Sequence, residues 1–128
     1  MAGREGTTMS TTTTWTVLLY GDEASWKALD GPALEALDAS HRTFVARCAA
    51  DGHEILASEQ LEYAATARVV RRSAGRPAAP TDGPFAETAE QLGGFYLVRT
   101  ADGVALAQLV ADVLTEDADI RPSVNHSA

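Results

Sequence analysis

Two short runs, WTVLLY (residues 15–20) and GFYLVRT (residues 94–100), constrain the fold of this chain more than anything else in it. Both are β-rich, and the first is apolar on both faces over its later positions, as a central strand with cover on each side must be. Each is followed by a segment of helical periodicity. After the first, Asp30-Gly31-Pro32 opens a helix, with proline tolerated in the first turn. Leu34, Leu37, His41, Phe44, Val45 and Cys48 share one face of it, and Gly52 ends it. After the second, residues 102–114 form an amphipathic helix with Val104, Ala107, Leu109, Val110, Val113 and Leu114 available for burial. HEILAS (53–58), TARVVRR (66–72) and ADIRPSV (118–124) read as further strands, with a turn over residues 73–76. Pro77 and Pro80 each remove a backbone donor, so any return strand there lies at an edge or is broken.

The resulting order is β, α, β, β, a hairpin-like insertion, β, α, β. It predicts an α+β, ferredoxin-like antiparallel sheet with two helices on one face. The opposite face needs cover, and a second copy of the chain, forming a homodimer, is the simplest cover. The expected organisation is a disordered polar leader over 1–14 (or an upstream start before Met9), one domain over 15–125, and a frayed end over 126–128.

Composition removes several function classes. The net charge of −8 opposes nucleic-acid binding, which needs a basic stripe; the short run of arginines between Arg68 and Arg76 reads as a solvated strand edge. No apolar run is long enough to span a bilayer, and the first residues lack a signal-peptide core. One cysteine, Cys48, cannot form an internal disulfide, which fits a reducing compartment and a cytoplasmic protein. His41, His53 and His126 have no metal-ligand spacing, and no phosphate-binding glycine loop is present, so neither metal nor cofactor is expected.

The stretch TDGPFAETAEQLGGFYLV (residues 81–98) has a complete local explanation. Asp82-Gly83 is a turn signal, and Pro84 directs Phe85 away from the turn, toward the core. Thr88 and Gln91 stand at capping-box spacing, which predicts one helical turn over 88–92, ended by Gly93-Gly94. The same stretch resembles the signature of the DGPF proteins of the YCII-related family. YGDEASW (20–26), His41-Arg42-Thr43-Phe44 and IRPSV extend the resemblance over roughly residues 15–124. The chain departs from the family at Ala89, where lysine is usual, and at PAAP, where a longer valine-rich strand is usual. Its connection from the second helix to the last strand is also short. The resemblance implies a dimeric α+β barrel and a cleft holding a histidine and an aspartate. It also implies kinship with a muconolactone dehalogenase, and genes set beside extracytoplasmic-function sigma factors.

His41 and Asp82 are accordingly the expected catalytic pair. A histidine oriented by a carboxylate can move a proton to or from a small acidic or aromatic ligand, in isomerase, lactone or dehalogenase-like chemistry. Tyr20, Glu59 and Arg121 are the expected substrate-binding residues, Arg121 through its planar fork. The alternatives are plain. A histidine on an apolar helix face is more often a hydrogen-bonded core residue, Glu59 and Arg121 suit solvated ion pairs, and Tyr20 or Tyr96 can pack with a wet tip. Function divides the same way, between a small-molecule enzyme or binder and a non-enzymatic regulatory partner of a sigma factor.

Overall fold

The computed structural model describes residues 11–86 and 88–126. Residues 1–10 of the expected leader, Glu87, and residues 127 and 128 of the expected frayed end lie outside the described residues. The chain runs β1 (Thr13–Asp22), α1 (Glu23–Lys27), α2 (Gly31–Asp51) and β2 (Glu54–Gln60). Four two-residue pieces follow, β3 (Arg68–Val69), β4 (Arg72–Ser73), β5 (Arg76–Pro77) and β6 (Thr81–Asp82). Then come β7 (Glu90–Thr100), α3 (Gly103–Val113) and β8 (Asp117–Pro122).

The main sheet has the order β2-β7-β1-β8 with every pair antiparallel, the ferredoxin-like arrangement. It is an open four-stranded sheet, and the described residues of the single chain close no barrel. The two sequence runs that pointed to the fold are its two central strands. Alternation along them decides what the helices cover. Val17 and Leu19 of β1 and Tyr96 and Val98 of β7 are buried against Phe44 and Cys48 of α2 and Leu106, Leu109 and Val110 of α3. Both helices therefore cover one face. Burying each such side chain contributes about 1.5–3 kcal/mol, so this cluster is what holds the helices to the sheet.

Local chemistry sets the helix ends. Asp30 caps α2 by accepting from the Ala33 N–H at 2.8 Å, and Asp102 caps α3 by accepting from Ala105 at 2.9 Å. The α2 helix stops where Gly52 turns left-handed at φ +83. Helix α1 was not legible as one; it exists because the carboxylate of Asp22, at the end of β1, accepts from the Ala24 N–H at 3.0 Å.

The middle of the chain departs most from expectation. The strand expected over 66–72 is broken into a 3-10 turn (Ala64–Thr66), β3 and β4. β4 pairs with β5 through a tight turn in which Ala74 and Gly75 both take positive φ. β6 returns to pair with β3, so the prolines split the return strand rather than abolish it. Phe85 is 66% exposed, with the Arg71 guanidinium 4.5 Å over its ring, and is no core anchor. Thr88 to Leu92 make no helical turn. β7 starts at Glu90, and Gln91 instead bonds the carbonyls of Ala86 and Thr88 with its side-chain amide.

Candidate functional site

A cavity of about 460 Å³ opens between α2 and the β7–β2 side of the sheet, floored by Leu19, Gly93, Gly94 and Tyr96 and walled by Trp26, Leu37 and His41. Its size is in the range of small-molecule sites. The residues that shape it follow from strand phase. Tyr96 is on the core phase of β7, between buried Gly94 and Val98, so its ring points at α2. There it packs on Phe44, with ring centroids 4.8 Å apart, and its hydroxyl reaches the cavity wall beside His41.

His41 is held at both nitrogens. Nδ1 lies 2.7 Å from the Tyr96 hydroxyl, and Nε2 lies 2.7 Å from Oε2 of Glu116, in the connection between α3 and β8. Burial pushes the Tyr96 phenol up to about 12, helped by the charge of Glu116, so it stays protonated. Burial also works to raise Glu116, but the hydrogen bond and charge of His41, with the nearby amides of Glu116 and Thr115, hold it below the usual carboxylate range. An ionised carboxylate can only accept, so Nε2–H donates to Glu116, and in the tautomer with that single ring proton Nδ1 accepts from the Tyr96 hydroxyl. Tyr96, His41 and Glu116 thus form a hydroxyl–imidazole–carboxylate chain along one wall of the cavity. The Glu116 side chain is only 9% exposed, and its Oε1 has no hydrogen-bond partner among the described residues.

Two glycines let the cavity form. Gly93 is the extra residue of a β-bulge, since Leu19 pairs with Gly94 and Tyr20 with Leu92. The Trp26 ring lies directly on Gly93 and Gly21, where any Cβ would collide with it. Gly94 admits the Glu59 carbonyl, which would lie 2.7 Å from a Cβ there.

The expected site residues are not gathered here, apart from His41. Asp82 sits exposed on the β3–β6 ribbon opposite Arg68 and does not line the cavity, so the partner of His41 is Glu116 and not Asp82. The reason is topological: the broken strands carry the Asp82-Gly83 turn, with Gly83 at φ +101, onto a separate ribbon. Tyr20 and Arg121 stand on the other face of the sheet, in phase with Thr16 and Leu18, and the Arg121 fork is filled by Asp119 at 2.7 and 2.8 Å. Glu59 borders the cavity, but it pairs with Phe95, so its side chain turns toward that same open face. Glu116 and Trp26 were missed. Glu116 carried no signal among its neighbours Asp117 and Asp119, whereas a tryptophan within reach of a Gly-Gly pair could have been read as a close approach.

Among the described residues no group of three or more His, Cys, Asp or Glu side chains could hold a metal ion, and no helix is long and apolar enough to cross a membrane. Fold and site define an α+β domain of ferredoxin-like topology with a histidine-centred cavity between helix and sheet. The chain matches the YCII-related domain over residues 13–119, most of its length, and belongs to that family. No curated protein matches its sequence.

Proposed function

We propose that this protein is a cofactor-independent enzyme that moves a proton on a small molecule bound in the His41 cavity. The observation that carries the reading is the Tyr96–His41–Glu116 chain on the wall of a 460 Å³ cavity. A substrate proton taken up by the Tyr96 oxygen lets the phenol proton pass to Nδ1, and the imidazolium formed is paired with the Glu116 carboxylate. Return of a proton along the same path to a different substrate atom gives an isomerisation with no net proton change. Elimination of a leaving group from the same anion is the variant the muconolactone resemblance points to.

The test is solvent exchange. Wild-type protein is incubated in D2O with a panel of lactones and enolisable ketones, amino ketones among them, and deuterium uptake is read by mass. Uptake faster than buffer, slowed about 100-fold or more by His41→Asn, is the expected result for general acid–base catalysis. A panel that neither takes up deuterium nor stabilises the protein against heat would remove the enzyme reading.

A second copy is proposed to cover the open sheet face, where Leu18, Phe95 and Leu97 are only half-buried. Light scattering tests it, and a monomer at all concentrations refutes it. The regulatory alternative, a partner of a sigma factor, draws on the net charge of −8 and makes no use of the chain of hydrogen bonds. It requires that His41→Asn bind the sigma factor as the wild type does.

A further inference from the structure

The cavity's charge is lopsided. Glu23, Asp38, Glu62 and Glu116 line it, besides Glu59, whose side chain turns away, and Arg42 is the single guanidinium among its described lining residues. That guanidinium is already paired with Glu35, outside the cavity. Glu23 is partly spent too, its carboxylate accepting from the Ala64 N–H at 2.7 Å. Glu116 is different: it is 91% buried by its 9% exposure, it carries a charge that His41 meets through one oxygen only, and Oε1 has no partner among the described residues. Aromatic faces complete the lining, Trp26 on the glycines and Tyr63 at the rim. The Tyr63 ring already holds an ammonium, since Lys27 Nζ lies 4.6 Å over its centroid. Carboxylates set among aromatic faces are the surroundings in which an organic cation is stabilised from two sides, by charge and by ring quadrupole. An anionic ligand would instead meet Asp38, Glu62 and Glu116 along the described lining, with the Lys27 ammonium set outside it, over the Tyr63 ring at the rim.

We infer that the ligand of this cavity is a small protonated amine with an aromatic or branched aliphatic body, its ammonium held on the Glu116 side. The inference rests on the cavity being a small-molecule site, as proposed above, and names the class of molecule. It replaces the acidic ligand expected from the sequence, and keeps the aromatic one.

Three probes of matched shape separate the possibilities: 2-phenylethylamine, 2-phenylethanol and phenylacetate. Each is titrated into the wild-type protein at pH 7, with the Trp26 indole and His41 ring signals followed by NMR. The amine is expected to bind at least about tenfold more tightly than the alcohol, the advantage of a charge-assisted contact. That advantage falls by about tenfold in Glu116→Gln, and about two- to fivefold in the exposed double variant Asp38→Asn/Glu62→Gln, which leaves the core untouched. High salt reduces it further. If the alcohol or phenylacetate binds as well as the amine, the inference is overturned and the small-molecule site stands. If all three leave the Trp26 and His41 signals unmoved at millimolar excess, both readings fall.

Discussion

Replacing Gly93 by alanine tests how the cavity is built. An added Cβ would lie 2.5 Å from Trp26 Cη2 and 2.9 Å from Cζ3, and the three nearest atoms all belong to that ring. Carbon atoms rest at about 3.5–4.0 Å, so the indole must retreat by roughly 1 Å or more. It cannot slide sideways freely, because the same ring also covers Gly21. Overpacking of this kind costs about 1–3 kcal/mol. The lower half of that range applies, because Trp26 is half-buried on the five-residue helix α1 and can lift away. Gly93 does not have positive φ, so no backbone strain is added. The prediction is therefore one of coupling. Gly93→Ala destabilises the wild type by about 1–2 kcal/mol in urea unfolding followed by circular dichroism. In a Trp26→Ala background it is neutral or slightly stabilising, since alanine in a strand is worth about 0.5–1 kcal/mol over glycine. Equal destabilisation in both backgrounds would refute the account and with it the role of Trp26 as a cavity wall seated on glycine.

Tyr96→Phe leaves His41 Nδ1 without its partner and is expected to cost about 1 kcal/mol of stability while removing the solvent-exchange activity; unchanged activity would take Tyr96 out of the proton path. The same variant bears on alkaline stability. The Tyr96 phenol is raised in the folded state, mainly by burial, from its ordinary value of about 10 to about 12, so its contribution is intact below pH 10 and is lost as pH rises through 12. The wild type should lose about 2–3 kcal/mol more than Tyr96→Phe across that window, measured by urea midpoints. Asp82→Asn should leave the His41 ring signals in NMR where they are, whereas Glu116→Gln should move them, and the reverse pattern would restore the pair expected from the sequence. Cys48 is fully buried and its thiol is pushed up to about 11, first by burial and then by Asp51, so iodoacetamide should label it no faster than the domain unfolds.

Much of the fold could be read because it is written in short-range patterns. WTVLLY and GFYLVRT became the central strands, each lengthened at both ends or at its start, and Asp30 and Gly52 bound α2 where their chemistry places them. The direction of His41 was also readable, since its helix position relative to Phe44 and Cys48 fixes the face it shares. Its partners were not. Tyr96 is 55 residues away and Glu116 is 75, and what brings Glu116 to Nε2 is the short connection from α3 into β8. No periodicity reports such a meeting. The middle of the chain failed for the opposite reason. Between Gln60 and Glu90, backbone turns at Ala74, Gly75 and Gly83 decide the path, and side-chain pattern carries little information there.

The stretch that carried the family resemblance has two halves with different work. Asp82 to Phe85 lies on the outer ribbon, where Gly83 permits the turn and Phe85 lies exposed under the Arg71 guanidinium. Gly93 to Tyr96 lies in the sheet and makes the cavity: one glycine seats Trp26, the next admits the Glu59 carbonyl, and the tyrosine brings a protonated hydroxyl to His41. A turn and an exposed ring can be exchanged for others of similar shape. The spacing of the second half cannot, because strand alternation ties it together. Tyr96 points at α2 only while Gly94 stands two residues before it on the same face, and Gly94 pairs with Leu19 only while the Gly93 bulge absorbs the extra residue. A one-residue slip of β7 against β1 would turn the hydroxyl to the open face and leave His41 with Glu116 alone. The chemistry of this site therefore depends on a register, and the two glycines are what hold it.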